Sequence, residues 1–220
     1  MTAPKGRIVI LESPDPMDLL QGRSESQTLA AACRLIGYET ASFPIRSERE
    51  LRETCEYVST ITQEHDQTET SDIPLVLHIS CHGNSEGLSF GPHHLSWDDF
   101  VECIIPICNM ENYDAGFVLS ISACGTENQT ITNSLRNAFR KEFAATPPRY
   151  LFVAAEDEVS WDDITISWVA LYYKLGDVKI TQRFAIQGFL PAIQTLTDVK
   201  LRYFRWDKDS KMYKRFTANA

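Results

Sequence analysis

The chain has 220 residues, 43% hydrophobic and 23% charged, with 10 Gly and 10 Pro, which is enough apolar material for a sizeable core. Its formal net charge of -9 argues against a nucleic acid or an anionic membrane as the main partner. No apolar run approaches the roughly 20 residues that span a bilayer, and MTAPKGRIVILES lacks a signal peptide's long apolar region, so a cytoplasmic location is expected.

Cys33, Cys55, Cys81, Cys103, Cys108 and Cys124 show no repeated spacing and read as free, mostly buried thiols. Arg7 to Glu12 is a first buried strand, and SPDPMD after it is a loop of prolines and aspartates. Ser24 to Tyr38 opens on two capping serines and carries Leu29, Ala32, Cys33 and Ile36 at helical spacing, ending near Gly37. Glu39 to Ile45 is a second strand. Ser47 to about Glu64 is a polar helix with Leu51, Cys55, Val58 and Ile61 on one face, followed by a solvated run, HDQTETSD. Pro74 to Ser80 is the third strand. After a turn at Asn84-Ser85, EGLSFGPHHLSW is too short and glycine-rich for a helix and suits a small hairpin. His93 and His94 are expected in an exposed loop before a helix, Trp97 to Cys108, capped by Ser96. Gly116 to Ser122 is the fourth strand, Gln129 to Phe143 a helix, and Arg149 to Ala155 the fifth strand. The acidic loop EDEVSWDD leads to helices Asp163 to Leu175 and Thr181 to Leu196. KLRYFRWDKDSKMYKRF alternates as a C-terminal hairpin or edge strand does. Strands alternating with helices predict an α/β fold, a three-layer α/β/α sandwich with a mostly parallel central sheet, in a single domain over residues 1–220.

Two of these strands end in chemistry. LVLHISCHG, Leu75 to Gly83, ends in His82-Gly83, and FVLSISACG, Phe117 to Gly125, ends in Ala123-Cys124-Gly125. In an open α/β sheet the carboxyl ends of the strands form the crevice. Neighbouring strands lie roughly 4.8 Å apart, so pairing would bring an imidazole and a thiol within reach, as in a nucleophile and its base. A nearby imidazole raises the small thiolate fraction of a free thiol at neutral pH. The plainer readings are an inert buried thiol at Cys124 and a satisfied core histidine at His82. Cys81 alternates to the face opposite His82, where packing is its expected role. His78 and His82 are about 13 Å apart on a strand, too far to share an ion, so no metal site is expected. With no phosphate loop, serine elbow or H-E-x-x-H motif, no cofactor is expected either.

A strand ending in His-Gly, followed roughly forty residues later by one ending in Ala-Cys-Gly, resembles the caspase-like (clan CD) cysteine peptidases, a group with caspases, metacaspases and CHAT-domain peptidases. RYLFVAAEDEVSWDDITISWVALYYKLGD is similar to their strand, loop and helix further on, and the likeness covers about Ile73 to Ile186. It implies a cysteine endopeptidase acting on a protein or peptide substrate, with Cys124 as nucleophile and His82 as base and later acid. The backbone N–H groups of Gly83 and Cys124 would form the oxyanion hole, and the helix after Cys124 would add its positive dipole end. Caspases carry glutamine two residues before the nucleophile, where this chain has Ser122. Ser160-Trp161 resembles the caspase Ser-Trp that precedes a pocket arginine, but Asp162 follows here. An acidic pocket made by Asp162, or by Glu156, Asp157 or Glu158, would prefer Arg or Lys in the substrate; a solvated loop is the plainer reading of those acids. Relatives in bacterial immunity and cell death imply an antiviral-defence effector switched by a nucleotide or protein activator. Candidate places for such control are the acidic loop, His93-His94 and the C-terminal hairpin, whose edge could also pair in a homodimer. The competing expectation is a catalytically inactive caspase-like binding or sensing module.

Overall fold

Strands that are apolar on both faces must be covered on both, and RIVILES, LVLHIS, FVLSIS and YLFVA are of this kind. The computed structural model describes residues 4–61, 73–110, 113, 116–125, 130–140, 147–154 and 159–216. Its strands are β1 (Arg7–Ser13), β2 (Glu39–Pro44), β3 (Leu75–Asn84), β4 (Gly87–Phe90), β5 (His93–Ser96), β6 (Phe117–Ser122), β7 (Tyr150–Ala154), β8 (Leu201–Asp207) and β9 (Met212–Phe216). The main sheet runs β2-β1-β3-β6-β7-β8-β9. Its first five members are parallel, whereas β8 is antiparallel to β7 and β9 to β8.

Seven helices lie among the described residues: α1 (Pro16–Leu20), α2 (Glu25–Ile36), α3 (Glu48–Ser59), α4 (Trp97–Cys108), α5 (Thr130–Arg140), α6 (Trp161–Leu175) and α7 (Arg183–Thr197). Serine starts four of them, because its hydroxyl accepts an otherwise orphaned N–H: Ser24, Ser47, Ser96 and Ser160 are all N-caps. One core joins the sheet to Leu51, Cys55 and Val58 of α3, Phe100 and Ile104 of α4, and Ile131 and Leu135 of α5. A second core, on the other face, joins it to Leu29 and Cys33 of α2, Trp168 and Leu171 of α6, and Ile186 and Ile193 of α7. The molecule is therefore α/β, with a mostly parallel mixed sheet between two helical layers. No helix among the described residues is long and apolar enough to cross a membrane.

The structure corrects three expectations. SPDPMD is not a plain loop: Asp15 caps α1 and Pro16 takes its first turn, where a missing N–H costs nothing. β3 does not stop at Ser80 but runs through His82 and Gly83 to Asn84, because β4 pairs with that extension, His82 opposite Ser89. His93 and His94 lie in β5 rather than in a loop, although both are exposed as expected. The helix expected over Gln129 to Phe143 is seen over Thr130–Arg140; residues 126–129 and 141–146 are outside the described residues.

Candidate active site

Alternation along two paired strands places the site. β3 and β6 run in parallel with His78 beside Ser120 and Ser80 beside Ser122, the last pair of their ladder. Cys81 and Ala123 then pack toward the α3–α5 core, so His82, the next residue of β3, turns toward the α2 and α6 side, while Cys124 sits in the turn just past the end of β6. Both line one cavity of about 700 Å³ at the carboxyl ends of the strands. His82 has 60% of its side chain exposed and Cys124 is half-buried. Cys81 is half-buried too and touches the same cavity, but it also packs against the core, and burial pushes its thiol up.

Two glycines hold the strand tips together. A Cβ at Gly83 would lie 3.0 Å from the Ala123 Cβ and 3.2 Å from the Cys124 carbonyl oxygen. Gly125 sits at φ +67°, and a Cβ there would come within 2.9 Å of the Asn84 Cα. Left-handed backbone and contact with a neighbouring main chain both demand glycine at that point. Gly125→Ala is thus expected to cost about 1–2 kcal/mol in urea denaturation, with the turn that carries Cys124 displaced from β3.

Beneath the tips lies a polar floor that sequence reasoning missed. The Glu25 carboxylate, at the first turn of α2, accepts from Ser80 Oγ at 3.1 Å and Ser122 Oγ at 2.9 Å, and its other oxygen lies 2.7 Å from His78 Nε2. His78 Nδ1 reaches the Tyr172 hydroxyl at 2.8 Å. Glu12, at the end of β1, accepts from Ser24 Oγ at 2.8 Å, Ser26 N–H at 3.1 Å and Ser26 Oγ at 2.7 Å. Glu12 and Glu25 are both buried and both line the cavity. Among the described residues no lysine or arginine lies within ion-pair distance of either; only His78 faces Glu25. Their position at a strand end and at a helix start beside the crevice was the signal available in the sequence.

The remaining expected residues divide three ways. Ser122, Ser160, Trp161 and Asp162 all line the cavity. Ser122 does so with its hydroxyl committed to Glu25, and Ser160 while capping α6 and donating to Asp163 at 2.6 Å. Asp162 is exposed at the mouth. Glu156, Asp157 and Glu158 lie outside the described residues.

One group among the described residues has donor atoms close enough to hold a metal ion: Asp15, Asp18 and His82, whose ligand atoms lie within 4.8 Å of one another. His82 Nε2 is 3.5 Å from Asp15 Oδ2 and 3.4 Å from Asp18 Oδ2. Fold and site together describe an α/β protein with a thiol, an imidazole and buried carboxylates around one crevice. No family model matches the chain, and no curated protein matches it significantly.

Proposed function

We propose that this chain is a caspase-like cysteine endopeptidase in which Cys124 is the nucleophile and His82 the general base and acid. The observation that carries the reading is a thiol and an imidazole opening into one cavity from the carboxyl ends of adjacent parallel strands. His82 takes the thiol proton, and the sulfur attacks the scissile carbonyl carbon, whose π electrons move to oxygen. The N–H groups of Gly83 and Cys124 are the donors assigned to that oxyanion. The C–N bond then breaks as the imidazolium gives its proton to the leaving amine, and a thioester remains. Water loses a proton to His82 and attacks the thioester; the C–S bond breaks, the new acid leaves and the thiol is restored.

A basic residue on the acyl side of the cleaved bond is the substrate this cavity favours. Glu12 and Glu25 offer buried negative charge at its floor, exposed Asp162 adds to it at the mouth, and Trp161, Val159 and Ile164 supply apolar wall for an aliphatic stem. A proteome-wide survey of cleavage sites made by wild type and absent with Cys124→Ala is expected to show Arg or Lys before the cut. Enrichment of Asp there would overturn the basic preference, and the absence of any Cys124-dependent site would overturn the peptidase. With peptide substrates, Glu12→Gln is expected to lower kcat/KM for Arg by about tenfold or more relative to an uncharged residue, because the guanidinium then meets an amide.

A further inference from the structure

Helix α1 is five residues long and buries none of its side chains, so neither core explains it. Its start is nevertheless built in detail. Asp15 Oδ1 accepts from the Asp18 N–H at 2.8 Å, and Asp18 Oδ2 accepts from the Asp15 N–H at 3.4 Å, a reciprocal capping box with Pro16 locked between. The box fixes two carboxylates, and both turn an oxygen to one atom, His82 Nε2, at 3.5 and 3.4 Å. The N–H of Asp18 above all, then that of Met17 and the His82 ring, hold the Asp15 carboxyl below its usual range, so it is ionised at neutral pH.

Carboxylate oxygens attract an N–H and repel a lone pair. Two of them at Nε2 therefore favour the ring form that carries its proton there and leave the lone pair on Nδ1. Other chargeable groups share the cavity, namely Glu12, Glu25, Arg23, Asp162 and Cys124. Only Asp15 and Asp18 come within ion-pair distance of His82 among the described residues.

We propose that Asp15 and Asp18 are positioning residues that hold His82 in its Nε2–H form, so that Nδ1 is the atom that takes the Cys124 proton and returns it to the leaving amine. The two carboxylates then also favour the imidazolium that forms between those transfers. This assignment rests on Cys124 and His82 being the catalytic pair.

The test separates charge from cap. Asp15→Ser combined with Asp18→Gln keeps the S-x-x-Q capping pattern and removes both carboxylates. In EDTA, to keep the three donors free of metal, kcat is expected to fall about ten- to a hundredfold while KM stays within about twofold. Asp15→Ser combined with Asp18→Glu restores one carboxylate in the same capping pattern and should recover most of the loss. In ¹⁵N spectra of the neutral His82 ring, wild type should show the proton on Nε2, and the doubly neutral variant a mixture of both forms. If α1 is only a structural knuckle, the doubly neutral variant keeps wild-type kcat and an unchanged ring, and the proposal falls. A wild-type ring protonated on Nδ1 overturns it too, whatever the activity. Hydrolysis that survives Cys124→Ala would instead overturn the catalytic pair itself, a different result read on a different variant.

Discussion

Cys124→Ala is expected to abolish peptide-bond hydrolysis, by about 10⁴-fold or more in kcat, without loss of the fold. Its side chain is half-buried at a strand tip and belongs to neither core, so truncation should cost under about 1 kcal/mol in urea denaturation. His82→Ala should behave in the same way, since most of that ring is in solvent. The chain carries its own control in Cys81, the residue just before His82. Cys81 packs against the core, and Cys81→Ala is expected to retain activity while losing about 1 kcal/mol or more of stability. Alkylation maps the same contrast. Burial pushes the Cys33 thiol up to about 12 and the Cys103 thiol up to about 11, and raises Cys55, Cys81 and Cys108 as well. Brief iodoacetamide treatment at neutral pH, read by peptide mass mapping, should therefore label Cys124 first. Undiminished hydrolysis by Cys124→Ala would sink the peptidase reading.

His78→Leu is expected to destabilise the protein by about 3–5 kcal/mol, the largest stability effect of any single change argued above. His78 is fully buried, its ring packed edge-on against Trp168 at 5.0 Å between centroids, and its Nε2 faces Glu25. Leucine leaves the Glu25 carboxylate buried with two serine hydroxyls and without its nearest nitrogen partner. Replacing both residues, His78→Leu with Glu25→Leu, should cost less than His78→Leu alone, because only the neutral hydroxyls of Ser80, Ser122 and Tyr172 then lose a partner and no carboxylate is left buried without its nitrogen. Chemical denaturation of the two single variants and the double variant measures that coupling. Additive losses would mean that the pair contributes no more than its packing. The floor also supports the proposed site: Glu25 ties β3 to β6 through Ser80 and Ser122, each two residues before His82 and Cys124 in the chain.

Much of this molecule was legible in the sequence because its signals are local. Strands with apolar residues on both faces, helices with an apolar stripe and serine caps at positions 24 and 96 are written in stretches of a dozen residues or fewer, whereas the cap at Ser160 starts its helix at Trp161, two residues before the expected Asp163. Even the two strand tips could be named in advance, since a run of apolar residues broken by His-Gly or Ala-Cys-Gly needs no partner to be noticed. α1 was missed because two prolines and two aspartates resemble a loop until the aspartates are seen to cap each other. The extension of β3 was missed because only pairing with β4 keeps His82 and Gly83 extended.

The tertiary structure alone decided which acids the crevice contains. Glu12 looked like the polar end of a strand and Glu25 like the ordinary acid of a first helical turn. Their burial depends on Ser26, Ser122 and His78, which stand 14, 97 and 53 residues away from them in the chain. A carboxylate can leave water only where distant donors converge to replace it. That convergence is set by the order in which strands join the sheet, which no local pattern of residues encodes.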